Sequence, residues 1–131
     1  MNGNVYFLAN DAVTGLEIWK TNGTEAGTSL LKDINPGATG IFTDGAATAD
    51  IPVLTEMNGF LYFHATTAAN GNELWKTDGT SSGTVIVKDI LAGTGNSNPR
   101  NLIVINSTLF FTATSASGNE LWKSDGTDAG T

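Results

Sequence analysis

Glu73-Leu74-Trp75-Lys76-Thr77-Asp78-Gly79-Thr80 is one of three near-identical stretches in a chain of 131 residues. EIWKTNGT runs from Glu17 to Thr24 and ELWKSDGT from Glu120 to Thr127; after two variable residues each copy continues with Gly-Thr, at Gly27-Thr28, Gly83-Thr84 and Gly130-Thr131. The copies begin 56 and then 47 residues apart. Self-similarity at such a period predicts an array of supersecondary units, each stacked on its neighbours.

A second recurring segment precedes each copy: NGNVYFLAN from Asn2, NGFLYFHAT from Asn58 and NSTLFFTAT from Asn106. Aligned, these show a period of two. Val5, Phe7 and Ala9 match Leu61, Phe63 and Ala65, then Leu109, Phe111 and Ala113, while Tyr6, Tyr62 and Phe110 fall on the other face. That alternation reads as a β-strand. In the following Glu-Leu-Trp-Lys strand, Leu74 and Lys76 point one way, and Glu73, Trp75 and Thr77 the other. Asn22-Gly23, Asp78-Gly79 and Asp125-Gly126 then mark turns, since these pairs tolerate positive φ. The trailing Thr-x-x-Gly predicts a connection longer than two residues.

Ser29–Ile34 and Val85–Ile90 supply a further strand, and Ile51–Leu54 and Asn101–Ile105 the first strand of the next unit. A full unit is therefore four strands in meander order, of propeller-blade size. The expected fold is all-β: repeats of four-stranded antiparallel meanders resembling β-propeller blades, in an incomplete ring or one closed by oligomerisation. A β-sandwich is the alternative. The units fall at 1–34 (partial), 51–90 (complete) and 101–131 (partial), with 35–50 an inter-unit surface insertion. Three units do not close a ring, so the expected partners are further copies of this chain or adjacent repeats of a longer one.

Composition narrows the function. Six basic residues stand against 13 acidic ones, for a net charge of −7. A broad basic face is beyond this chain, which argues against nucleic acid and anionic membrane as partners. No apolar run is long enough to predict membrane insertion, and the opening MNGNVYF does not read as a signal peptide. With no cysteine, disulfides, thiolate zinc sites and cysteine nucleophiles are all excluded.

The three octapeptides, their Gly-Thr followers and the tails Lys32-Asp33-Ile34 and Lys88-Asp89-Ile90 resemble the ELWxxDGT repeat proteins, a bacterial family named for this motif. Ile18 and Asn22 are the departures, both in the first copy. The resemblance implies a segment of a large secreted or surface-attached protein, hence an extracellular or cell-surface location. It supplies no catalytic residues to carry over.

Each candidate chemistry has a structural counterpart. Trp19, Trp75 and Trp122 could stack on sugar rings, with Glu17, Glu73 and Glu120 as polar partners; equally, a tryptophan in every unit could serve to pack adjacent sheets. The same glutamates are equivalent by repetition and do not pair across one substrate as glycosidase carboxylates do. Asp78, Asp125 and Asp128 are the candidate Ca2+ ligands, although each loop offers few of the 6–8 oxygens that ion takes. The alternative is that Asp and Thr side chains bond the local backbone. The five lysines (Lys20, Lys32, Lys76, Lys88 and Lys123) all occupy repeat positions, which predicts recurring ion pairs or hydrogen bonds with the repeated Glu and Asp. His64 reads as a partly buried strand residue, and Arg100 as a surface charge in a loop. The expected function is a non-enzymatic extracellular module for adhesion, ligand presentation or structural spacing. The alternatives are a lectin-like carbohydrate-binding propeller and, less favoured, an enzyme using variable loops such as 39–50.

Overall fold

The computed structural model describes residues 1–37, 39–41 and 53–131. Among them the regular structure is all β, with no helix, in three small antiparallel sheets. The first sheet contains β1 (Val5–Asn10), β2 (Leu16–Thr21) and β3 (Ser29–Leu30). The middle sheet is a four-stranded meander of β4 (Thr55–Met57), β5 (Phe60–Thr67), β6 (Gly71–Thr77) and β7 (Val85–Lys88). The third sheet contains β8 (Arg100–Ile105), β9 (Thr108–Ser115) and β10 (Gly118–Ser124).

Register is the same in all three. Trp19 lies opposite Phe7, Trp75 opposite Phe63 and Trp122 opposite Phe111. The turns that lead into the Phe-bearing strand of each pair require positive φ at two successive residues, which Asn and Gly tolerate. Asn58-Gly59 (53° and 80°) and Asn106-Ser107 (48° and 59°) join strands in this way, and Asn2-Gly3 has the same conformation ahead of β1.

The period-two pattern then decides packing. Ile18, Leu31, Ile34 and Ile41 of the first sheet and its trailing segment meet Phe63, Ala65 and Trp75 of the middle one. Tyr62, Leu74 and Val87, on the opposite face of the middle sheet, meet Leu109, Phe111 and Ala113 of the third. Both faces of the middle sheet are therefore covered, which is why β5 carries apolar side chains on both of its faces from Phe60 to Phe63. One residue on each side links neighbouring sheets through backbone hydrogen bonds. Ile41 N–H donates to Leu16 O, and Ile41 O accepts from Thr66 N–H. Ser97 does the same between Asn72 and Thr114.

Three local expectations change. The first strand of the middle sheet lies at Thr55–Met57 rather than at Ile51–Leu54, because the Asn58-Gly59 turn pairs Met57 with Phe60; positions 51 and 52 lie outside the described residues. Gly40 and Ile41 are not part of a surface insertion: Gly40 bridges Leu16, and Ile41 is fully buried. The remainder of that insertion, 42–50, and most of the variable loop 39–50 lie outside the described residues. Arg100 opens β8 opposite Thr112 instead of sitting in a loop.

Candidate functional site

The repeated motif builds a clasp at the end of each Trp strand, in which its Thr or Ser and Asp or Asn side chains bond one another and the local backbone. In the middle copy, Asp78 Oδ1 accepts from Thr80 N–H (2.8 Å) and Thr80 Oγ1 (2.7 Å). Thr80 Oγ1 in turn accepts from Gly83 N–H (2.9 Å), and Thr80 O accepts from Thr84 Oγ1 (2.7 Å). Because the Thr84 proton is committed to that carbonyl, Thr77 Oγ1 donates to Thr84 Oγ1 (2.7 Å) while accepting from Gly79 N–H (3.0 Å). The same bonds recur around Asn22 and Asp125. A methyl group on Gly27, Gly83 or Gly130 would collide with the side chain of Asn22, Asp78 or Asp125, which accounts for the Gly of Gly-Thr.

These bonds decide what the candidate calcium ligands do. Hydrogen bonds from Thr80 and Thr127, side chain first and then backbone, hold the carboxyls of Asp78 and Asp125 below the usual range. The third, Asp128, faces Lys88 at 3.5 Å. The three are not brought together: among the described residues no group of three or more His, Cys, Asp or Glu is placed to hold a metal ion.

The glutamates split two to one. Glu17 and Glu73 are completely buried, whereas Glu120 is exposed and accepts a bond from Ser115 Oγ (3.0 Å). Glu73 caps the backbone that leads to the next sheet. It accepts from Ile90 N–H (2.9 Å), Leu91 N–H (3.4 Å), Ser97 N–H (3.1 Å) and Ser97 Oγ (2.5 Å). Burial raises its carboxyl above the usual range, and the Ser97 hydroxyl and these amides oppose the rise. Glu17 accepts from Asn35 N–H (3.2 Å) and from Ile34. The counterpart of Ser97 is here Ile41, which has no hydroxyl, and Glu17 Oε2 is buried with no partner among the described residues. Burial pushes the Glu17 carboxyl up to about 7.

Two of the three tryptophans pack between sheets. Trp75 is 9% exposed in the core between the first two sheets, and Trp122 lies half-buried against the core between the second and third. Trp19 is half-buried on the outer face of the first sheet. Each indole N–H is buried without a protein acceptor among the described residues. His64 is buried in β5.

The lysines do something the sequence did not indicate. Rather than pairing with the repeated Glu and Asp, four of the five reach backbone carbonyls of the next sheet. Lys20 Nζ donates to Gly79 O (3.1 Å) and Lys76 Nζ to Gly126 O (2.7 Å). Lys32 Nζ donates to Thr84 O (2.7 Å) and Lys88 Nζ to Asp128 O (3.0 Å). Two tyrosines share the same seats: a Cβ on Gly79 would strike Tyr6 Oη, and one on Gly126 would strike Tyr62 Oη. Burial, followed by the nearby charges of Asp78 and Asp125, raises both phenols above their ordinary value. The clasp of one sheet is thus the docking point for Tyr and Lys of the sheet before it.

A polar cleft of about 440 Å3 opens at the sheet ends, lined by Asn35, Thr66, Thr67, Thr94 and Asn96 among others. No sequence motif marks its threonine and asparagine side chains. Comparison of the chain with protein-family models, with curated proteins and with solved structures gives no match.

Proposed function

We propose that this chain is a non-enzymatic scaffold module whose recurring residues stack β-sheets as propeller-like blades. The observation that carries the reading is the Lys20–Gly79 and Lys76–Gly126 pair of links, which puts the same two motif positions in contact across successive sheets. Motif side chains spent on clasping and stacking are unavailable as a substrate-binding set. The resemblance to ELWxxDGT repeat proteins supports an extracellular setting, with adhesion, ligand presentation or spacing as the task and adjacent repeats or further copies as partners.

The test pairs a glycan and matrix-protein binding screen with substitution of the motif. Under this reading, Trp75→Phe lowers stability and leaves any binding unchanged in the folded protein. Binding abolished by Trp75→Phe in a chain that stays folded would overturn it. The second reading, a carbohydrate-binding module, rests on the polar cleft at the sheet ends, whose volume and hydroxyl-rich lining suit a small sugar. It calls for a glycan hit lost on Thr66→Val.

A further inference from the structure

The outer faces of the two end sheets repeat, position by position, surfaces that are covered in the interior. Tyr62, Leu74 and Lys76 form the face that the middle sheet presses on the third; Leu74 is completely buried there. Their counterparts on the outer face of the third sheet are Phe110, Leu121 and Lys123, and Leu121 is 75% exposed. The Lys123 ammonium makes no hydrogen bond or ion pair with the described residues, and it lines a cleft of about 460 Å3 beside Thr108 and Asp125. The complementary surface lies at the other end. Val5 (64% exposed), Phe7 and Trp19 on the first sheet correspond to Leu109, Phe111 and Trp122, which the third sheet turns toward the middle one. The clasp glycine beside them, Gly23, has a φ of 89°, close to the 93° of Gly79 and Gly126. Gly79 and Gly126 each face a tyrosine hydroxyl, whereas a Cβ on Gly23 would meet nothing within 4 Å.

We infer that the outer face of the third sheet is a docking surface for the first sheet of a second copy of this chain. Copies join head to tail in the geometry of the two internal interfaces, an inference that rests on the stacked-scaffold reading above. Leu121 and Phe110 cover the Val5, Phe7 and Trp19 face of the incoming copy, and Lys123 Nζ donates to its Gly23 O. Such a heterologous contact yields a ring when its rotation closes and a filament when it does not. The continuity of both faces with an established interface selects the second copy over an unrelated partner: the seat, the lysine and the positive-φ glycine are all present, on opposite ends of one chain.

Light scattering across a concentration series at physiological ionic strength tests this. The expected result is a mass that grows with concentration for the wild type. Leu121→Asp and Val5→Asp, both at exposed positions, are expected to remain monomers with unchanged melting temperature. Because the chain has no cysteine, a short bismaleimide reports which faces meet. Leu121→Cys mixed with Val5→Cys should give cross-linked dimers in several-fold excess over either variant alone. A wild type that stays monomeric at high concentration, as it would if a sheet of a longer chain were the true occupant, overturns the inference. Predominance of Leu121→Cys self-pairs also overturns it. The underlying stacking reading fails separately, by Gly126→Ala proving no more destabilising than Gly23→Ala.

Discussion

Replacing Glu73 by Ala should destabilise the fold severely, while the same replacement at Glu120 should pass almost unnoticed. The two residues hold the same position in the motif and differ only in what surrounds them. Of the four bonds Glu73 accepts, those from Ser97 have a fallback, since Ser97 N–H and Oγ also lie within reach of Asn72 O (3.0 and 3.3 Å). Ile90 N–H and Leu91 N–H have no such alternative among the described residues, and both become unsatisfied. An orphaned buried donor costs ~1–3 kcal/mol, and these two are partly buried, so the loss should be about 2–4 kcal/mol. For a domain of this size that corresponds to a fall in Tm of roughly 6–12 °C. Glu120 is exposed, and its substitution should stay within about 0.5 kcal/mol. Thermal and urea melts followed by circular dichroism measure both, with Glu73→Gln as the isosteric control, expected to lose less than Glu73→Ala. Equal losses for Glu73→Ala and Glu120→Ala would show that the carboxylate cap does not hold the inter-sheet segment, and the account of why this residue recurs would fail.

Glu17 gives a pH dependence of definite sign. Its folded value of about 7 lies above the ordinary 4.5, so its contribution is fully present below the ordinary value and is lost as pH rises through about 7. Melting curves at pH 5 and 8 should show this fall, and Glu17→Gln should flatten it; a slope unchanged by the substitution would remove Glu17 as its source. Gly126→Ala should cost at least ~1 kcal/mol more than Gly23→Ala, because both carry the positive-φ penalty but only Gly126 faces a tyrosine hydroxyl. Denaturant melts of the two variants make the comparison. Alkaline titration of phenolate absorbance should place both tyrosines above their ordinary value while the chain is folded, and a normal titration would deny the Tyr–clasp seats. Millimolar calcium should leave Tm unchanged, since the clasp carboxylates are already engaged by threonines; a rise of several degrees would contradict that assignment.

Much of the fold was legible because its determinants are local. Alternation in the Asn2, Asn58 and Asn106 segments specified strands whose two faces are distinguishable, and the same alternation reappears as Phe63 toward one core and Tyr62 toward the other. Thr-Asp-Gly-Thr-x-x-Gly-Thr announced a connection longer than two residues, whereas the two-residue turn at Asn58-Gly59 emerged only from the pairing of Met57 with Phe60. Expectation and structure part where sequence separation is large. Gly40 reads as part of a surface insertion, and only its bridge to Leu16 reveals a built-in position. The environments of the candidate tryptophans and glutamates depend on which neighbouring sheet covers them. The polar cleft left no trace in the pattern, because its threonines and asparagines come from segments that meet only after the sheets have packed.

By itself the sequence determined the clasp: its donors and acceptors lie within eight residues of one another, so residue type and spacing suffice to close it. It also determined the all-β character, since a period of two survives whatever the strands later pack against. Only the tertiary structure decided where each lysine ends and which glutamate is sealed from water. Lys20 finds Gly79 across 59 positions and Glu73 finds Ser97 across 24. Partners so far apart are chosen by how sheets stack, not by any property of the residues between them.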